Sequence, residues 1–204
     1  RQLVLDPQTA NDFKGKVDPE WCAGCGDFGV LNSLRKACLD LGLKPHEILT
    51  ISGIGCSSNF PGFFNSYGMH TLHGRALAVA TGAKMANHEL TVFVTGGDGD
   101  GYGIGGNHFT HTARRNVDLT YIVMDNEIYG LPKNQTSPTT QQGAKTYTHP
   151  RGIGLHPLNP IMTTLGVTNV SFVAQTVDWS PQHLYATTLA AFEHPGFSFV
   201  RIMQ

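Results

Sequence analysis

Three apolar runs set the limits on what this chain can fold into: "HEILTISGIG" at residues 46–55, "ELTVFVTGG" at 89–97 and "DLTYIVMDN" at 118–126. Each is short, rich in β-branched residues, and breaks at its end into Gly, Asp or Asn. Runs of this kind read as strands buried on both faces, the condition of a parallel sheet. Between them, "TLHGRALAVATGAKMAN" (71–87) and "NHFTHTARRN" (107–116) carry small and apolar residues at helical spacing. A helix around 28–41, ending at Gly42, precedes the first strand. A last unit follows: the strand "VSFVAQTV", a helix from about Pro181 to Glu193, and the strand "GFSFVRIMQ". The expected fold is therefore α/β, a parallel sheet flanked by helices. Ligands in such sheets lie beyond the carboxyl ends of the strands. The loops after residues 53, 95 and 125 all begin there.

The rest of the chain narrows the class. Charged residues make up 14% and the formal net charge is −1, so neither nucleic acid nor an anionic membrane is an expected partner. The same low charge implies surfaces covered by another protein. No stretch approaches the roughly 20 apolar residues of a membrane span. "RQLVLDPQTANDFKG" lacks the pattern of a signal peptide, so a cytoplasmic location is expected. Residues 1–18 read as an extended arm and 19–204 as the domain. Residues 131–160 are polar and proline-containing, a long loop of the kind that is functional or packed on a partner. The final strand ends without a closing cap, from which a C-terminal truncation is expected.

The glycine loop in "VFVTGGDGDGYGIGG" (92–106) poses the chemical question. Gly101, Gly103 and Gly106 spell G-x-G-x-x-G, the dinucleotide pattern, but any glycine-dense loop satisfies it, and Asp98 and Asp100 would repel a bare pyrophosphate. A divalent cation between Asp98 and a diphosphate removes the conflict, because Mg²⁺ takes mixed carboxylate and phosphate oxygens. Gly97 and Gly99 let backbone N–H groups reach the phosphate. Asn126, at the end of the next strand, could add its amide oxygen, and "EIYG" a backbone carbonyl. The plainer reading is that Asp98 and Asn126 cap turns.

With those residues in place, the chain resembles a known family. G-D-G followed by Asn is similar to the metal–diphosphate motif of thiamine-diphosphate enzymes. "WCAGCG", "GIGCSS", "YGMHTLHGRALAVATGAKMAN", "GGDGDGYGIGGNH" and "DNEIYGL" with "QTSPT" together resemble the β subunit of a 2-oxoacid:ferredoxin oxidoreductase, over about residues 19–204. The resemblance implies Mg²⁺ ligation by Asp98, Asn126 and the main-chain carbonyl of Ile128. It implies thiamine diphosphate contacts at Ile54, Gly55, Cys56, Ser57, His73, Gly74, Gly97, Gly99, Asp100, Tyr129, Gly130 and Leu131. His73 and Lys133 are the implied catalytic groups, Lys133 facing the carboxylate of the substrate; the plainer readings are a polar helix-start histidine and a solvated lysine. "LPKNQ" departs from the family in Pro132 and Asn134, where Thr and Gly are common.

The cysteines leave alternatives open. Cys22, Cys25 and Cys56 could serve a [4Fe–4S] cluster, which wants four thiolates; Zn²⁺ is the other metal that C-x-x-C admits, and a redox dithiol a third reading. Cys38 reads as a buried, inert thiol. The resemblance places a fourth cluster ligand just beyond Gln204. It further implies oxidative decarboxylation of a 2-oxoacid, 2-oxoglutarate before pyruvate, with coenzyme A as acyl acceptor and ferredoxin as electron acceptor. The implied assembly pairs this chain with an α subunit, as α2β2. Two rivals stand beside it: a non-redox thiamine-diphosphate decarboxylase or carboligase, which leaves the cysteines idle, and a zinc-binding interaction module, which leaves the glycine loops idle.

Overall fold

In the computed structural model, which describes residues 6–131 and 133–204, the three apolar runs lie side by side in the middle of one sheet. They form β1 (Ile48–Ser52), β3 (Thr91–Gly97) and β4 (Leu119–Asp125). An edge strand β2 (Tyr67–His70) and two C-terminal strands, β7 (Phe172–Val177) and β8 (Phe197–Met203), complete it. The order is β2-β1-β3-β4-β8-β7, and every pairing is parallel. A separate antiparallel hairpin joins β5 (Ile128–Tyr129) to β6 (Gln135–Thr136).

Side chains alternate across the sheet, and each face buries its own core. Phe93, Ile122, Met124, Val200 and Ile202 pack against α1 (Asp27–Asp40), the short α2 (Phe60–Phe63) and α6 (Pro181–Glu193). Val92, Val94, Tyr121, Val123 and Phe199 pack against α3 (Ala76–Ala86) and α4 (Gly106–Arg115). Helix α1 forms because Val30, Leu31, Leu34 and Cys38 recur every three or four residues, and all are buried. Burying each Leu contributes about 1.5–3 kcal/mol. The helix stops where Gly42 takes φ +66° and its N–H closes on the Leu39 carbonyl at 2.9 Å. Cys38 is fully buried, with burial pushing its thiol pKa far up.

The chain leaves β1 for the outer strand β2, then crosses back to β3 on the other flank of β1. The sense of winding thus reverses between β1 and β3, and their carboxyl ends diverge there into a crevice.

The structure differs from the sequence expectations in four places. Residues 71–75 are not helical; they form the loop that links β2 to α3. Strand β2 itself is exposed along its whole length, so no apolar run announces it. The glycine loop winds through a π-helical turn, Gly99–Ile104. The long polar segment carries β6, the second strand of the hairpin, runs into α5 (Pro160–Leu165) at its end, and buries Ser137, Thr139, Thr140 and Ile153. The first five residues of the expected arm lie outside the described residues. Further along it, Phe13 is fully buried against Phe64, 5.6 Å between ring centroids.

Candidate functional site

Beyond the carboxyl ends of β1, β3 and β4 lies a cleft of about 450 Å³. Loops from five parts of the chain line it: Cys22–Asp27, Ile54–Ser57, His73, Gly97–Asp100 and Asn126–Leu131. Met124 and Gln204 complete it. All of the expected cofactor and metal residues line this cleft except Gly74, and Lys133 does not.

One side chain ties three of these loops together. Asp100 is 3% exposed, and its Oδ1 accepts from the backbone N–H of Ile54 at 3.0 Å, from the N–H of Gly74 at 2.8 Å and from His73 Nδ1 at 2.6 Å. A Cβ on Gly53 would meet Asp100 Oδ2 at 1.9 Å, so the β1 loop can approach only as glycine. Expected as a cofactor contact, Asp100 has its carboxylate engaged by the loops themselves. It holds the His73 ring by Nδ1, which leaves Nε2 as the nitrogen available to a ligand. Gly74 sits behind this clamp at φ +70°.

Asp98 begins the turn after β3 and is 1% exposed. The register pairs Gly97 with Met124, so the next residues, Asp98 and Asp125, come level across neighbouring strands. Both are buried acids, and they differ in their partners. Asp125 Oδ2 accepts from Arg201 Nε at 2.7 Å, an ion pair with the Arg side chain 13% exposed and the Asp 0%. Asp98 has no cation beside it among the described residues. Burial, reinforced by the Asp125 charge, lifts its pKa to about 6 against the opposing hydrogen bonds of Ser137 and Thr139. Thr139 Oγ1 lies 3.0 Å from Asp98 Oδ2 and 2.8 Å from Asp125 Oδ1.

The β4 end turns sharply over this floor. Asn126 Oδ1 accepts from the Ile128 N–H at 3.2 Å, the turn-capping role that the plainer reading gave it, while a second lone pair remains. Glu127 takes φ +61°. Tyr129 swings back over the glycine turn and donates its hydroxyl to the Gly99 carbonyl at 3.0 Å. A Cβ on Gly99 would meet the Tyr129 ring at 2.1 Å, so this glycine is required by close approach. Gly130 and Leu131 form the outer lip. Lys133 is exposed at φ +65° next to Asn134 at φ +58°, two successive non-glycine residues in the left-handed region within the connection between β5 and β6.

The cysteines lie beside the outer lip, where a Cβ on Gly130 would stand 3.9 Å from Cys56 Sγ. Trp21 docks on Phe63 and Phe60, with ring centroids 4.9 and 5.1 Å away, and donates Nε1–H to the Cys56 carbonyl at 2.8 Å. That anchor brings the C-x-x-C loop up to the β1 loop. Burial raises the thiol pKa of Cys25 and of Cys56; the Asp27 charge and Cys22 raise Cys56 further, while at Cys25 the Asp27 backbone N–H opposes the rise. Asp27, itself pushed up to about 6 by burial, is held by the Gln204 side-chain amide at 2.8 Å. Among the described residues, no three His, Cys, Asp or Glu side chains converge closely enough to hold a metal by themselves.

These groups fit the metal–diphosphate pair better than they fit a closed metal cage. A buried carboxylate without a cation, beside backbone stripped of Cβ atoms, suits a dication that brings its own phosphate oxygens. Cys22, Cys25 and Cys56 line this same cleft, but they do not converge into a closed donor set, and the remaining cysteine, Cys38, is sealed in the core. Thr139, Arg201, Asp27 and Gln204 had no expected role in the site, and Asp125 none in holding the metal. Asp125 and Thr139 fell inside the family phrases "DNEIYGL" and "QTSPT", and Arg201 and Gln204 inside the final strand, without being singled out.

Residues 53–202 match the family described as thiamine pyrophosphate enzyme, C-terminal TPP binding domain. The chain is 44% identical to the 2-oxoglutarate oxidoreductase subunit KorB of Mycobacterium tuberculosis, over 97% of this chain and 53% of that protein. It is 42% identical to the 2-oxoglutarate synthase subunit KorB of Archaeoglobus fulgidus, over 90% of this chain and 68% of that one. A solved 2-oxoglutarate:ferredoxin oxidoreductase from Magnetococcus marinus, with 2-oxoglutarate, coenzyme A and succinyl-CoA bound, superposes with a TM-score of 0.94 at 45% identity, covering 99% of this chain and 70% of that one. A thiamin diphosphate-dependent enzyme from Mycobacterium smegmatis, 14% identical with a TM-score of 0.57, shares the fold. The chain spans 53% of the tuberculosis relative and 61% of a Sulfolobus 2-oxoacid:ferredoxin oxidoreductase β subunit. No helix among the described residues is long and apolar enough to cross a membrane.

Proposed function

Because the chain belongs to the thiamine pyrophosphate enzymes, in the branch of the 2-oxoacid:ferredoxin oxidoreductase β subunits, we propose that it is the cofactor-binding half of an enzyme that converts 2-oxoglutarate and coenzyme A to succinyl-CoA and CO₂. The two electrons released pass to two ferredoxins. The observation that carries this reading is the buried, cation-free carboxylate of Asp98 on the floor of a cleft walled by glycine turns.

In this reading Asp98, Asn126 and the Ile128 carbonyl hold Mg²⁺, and Gly97, Gly99, Ser57 and Gly55 leave room for the diphosphate beside it. Bound there, thiamine diphosphate supplies the nucleophilic carbon that adds to the ketone and the electron sink that lets CO₂ depart. The chain's own residues orient and exclude. Asp100 keeps His73 facing the cleft by holding Nδ1. Ile54, 48% exposed, and Leu131, 62% exposed, leave an apolar rim suited to the α subunit, which would close the site and exclude water. Lys133 reaches the substrate carboxylate only if its loop folds inward, because it stands outside the cleft here. Cys22, Cys25 and Cys56 would hold an iron–sulfur cluster together with one donor from elsewhere, supplying a one-electron relay to ferredoxin. An α2β2 assembly is part of the same proposal.

The test is spectroscopic. The complex purified with its α subunit is expected to be brown, with a visible absorbance that bleaches on adding 2-oxoglutarate and coenzyme A and returns with oxidised ferredoxin. A colourless complex that still decarboxylates 2-oxoglutarate would replace the redox reading with a non-redox one.

A further inference from the structure

Among the described residues, Thr139 touches both buried acids of the site floor, and it is 1% exposed. It reaches them from the long polar segment, and the backbone that carries it is pinned on each side. The Ser137 N–H donates to Thr140 Oγ1 at 2.9 Å, and Thr140 donates to the Glu127 carbonyl at 2.5 Å. A β-branched side chain on a pinned turn has little freedom at χ1, so the hydroxyl position is set. On one side it meets Asp125, itself immobilised by Arg201 at 2.7 Å. On the other it meets Asp98 Oδ2, so its one hydroxyl proton is shared between the two carboxylates, and Ser137 adds a further hydrogen bond to Asp98.

We propose that Thr139 is a positioning residue for the divalent ion: it fixes the rotation of the Asp98 carboxylate by tying it to the Asp125–Arg201 pair, and thereby favours Mg²⁺ over Ca²⁺. The inference rests on the reading of Asp98 as a Mg²⁺ ligand. The physical basis is the difference between the ions. Mg²⁺ demands near-ideal octahedral geometry, whereas Ca²⁺ accepts variable ligand number and angle. A carboxylate free to rotate therefore penalises Mg²⁺ more. Groups that orient a ligand from behind typically change metal affinity by about 10–100-fold.

The experiment titrates thiamine diphosphate into the full-length protein with its α subunit, by calorimetry, at fixed Mg²⁺ or fixed Ca²⁺. Thr139→Val removes the hydroxyl at nearly constant shape and is expected to weaken Mg²⁺-dependent binding about 10–100-fold, with Ca²⁺-dependent binding falling less than about threefold. Thr139→Ser keeps the hydroxyl on the same pinned turn, though without the methyl that restricts χ1, and is expected to retain most of the wild-type affinity with both ions. Should the valine variant not fold, Thr139→Ala gives the same comparison. Equal losses with the two ions would mark a merely structural role and overturn the inference, as would unchanged Mg²⁺ affinity. A wild-type complex that binds the cofactor without any divalent ion refutes the metal reading itself, and this inference with it.

Discussion

Asp98→Asn is expected to yield a protein more stable than the wild type that no longer retains thiamine diphosphate. The sign of the stability change follows from the carboxyl pKa of about 6, raised chiefly by burial. A raised carboxyl pKa means that the folded state disfavours the charge: protonation near or below pH 6 relieves the fold, while at neutral pH the ionised group destabilises it. Asparagine keeps an oxygen for Thr139 and removes the charge, so the apoprotein should gain on the order of 1 kcal/mol. Cofactor affinity moves the other way. A carboxylate ligand to a dication is worth several kcal/mol, so affinity in Mg²⁺ should fall by at least about 100-fold. Thermal unfolding and calorimetry on the same sample separate the two effects. A variant that loses stability and keeps its cofactor would make Asp98 a turn cap and nothing more.

Arg201→Met tests the other acid. Asp125 is wholly buried, and Arg201 is its ion-pair partner. Removing one member of a buried pair leaves an uncompensated charge, at a cost of about 3–5 kcal/mol. For a chain of this size that corresponds to a midpoint lowered by roughly 6–20 °C. The double variant Asp125→Asn with Arg201→Met should recover most of the loss, because it removes the stranded charge. Denaturant unfolding of the single and double variants measures the coupling. If the two substitutions add, the pair contributes to the floor of the site only through independent packing.

Local signals made much of this site legible. The strands β1, β3 and β4 carry continuous apolar runs, and their breakpoints marked the three loops that line the cleft. Asp98, Asn126 and the cysteines stood out because their residue types conflict with a plain phosphate loop or a plain core. The edge strand β2 did not stand out, since an exposed strand containing Gly68 and His70 needs no apolar pattern. The role of Asp100 was missed for another reason: its partners, Ile54 and Gly74, lie 46 and 26 residues away, and backbone donors leave no mark in a sequence. Thr139 and Arg201 were hidden in the same way. A threonine in a polar segment and an arginine in a terminal strand acquire meaning only when folding places them against Asp125, 14 and 76 residues off. Long-range partners of buried charges are where pattern reading stops.

The most direct measurement is a crystal structure of the complex grown with Mg²⁺ and thiamine diphosphate. The account predicts one ion with the Asp98 carboxylate, the Asn126 amide oxygen and the Ile128 carbonyl each about 2.0–2.1 Å away, diphosphate oxygens and water completing the octahedron. An ion held elsewhere, or Asn126 still turned only toward its own backbone, contradicts it.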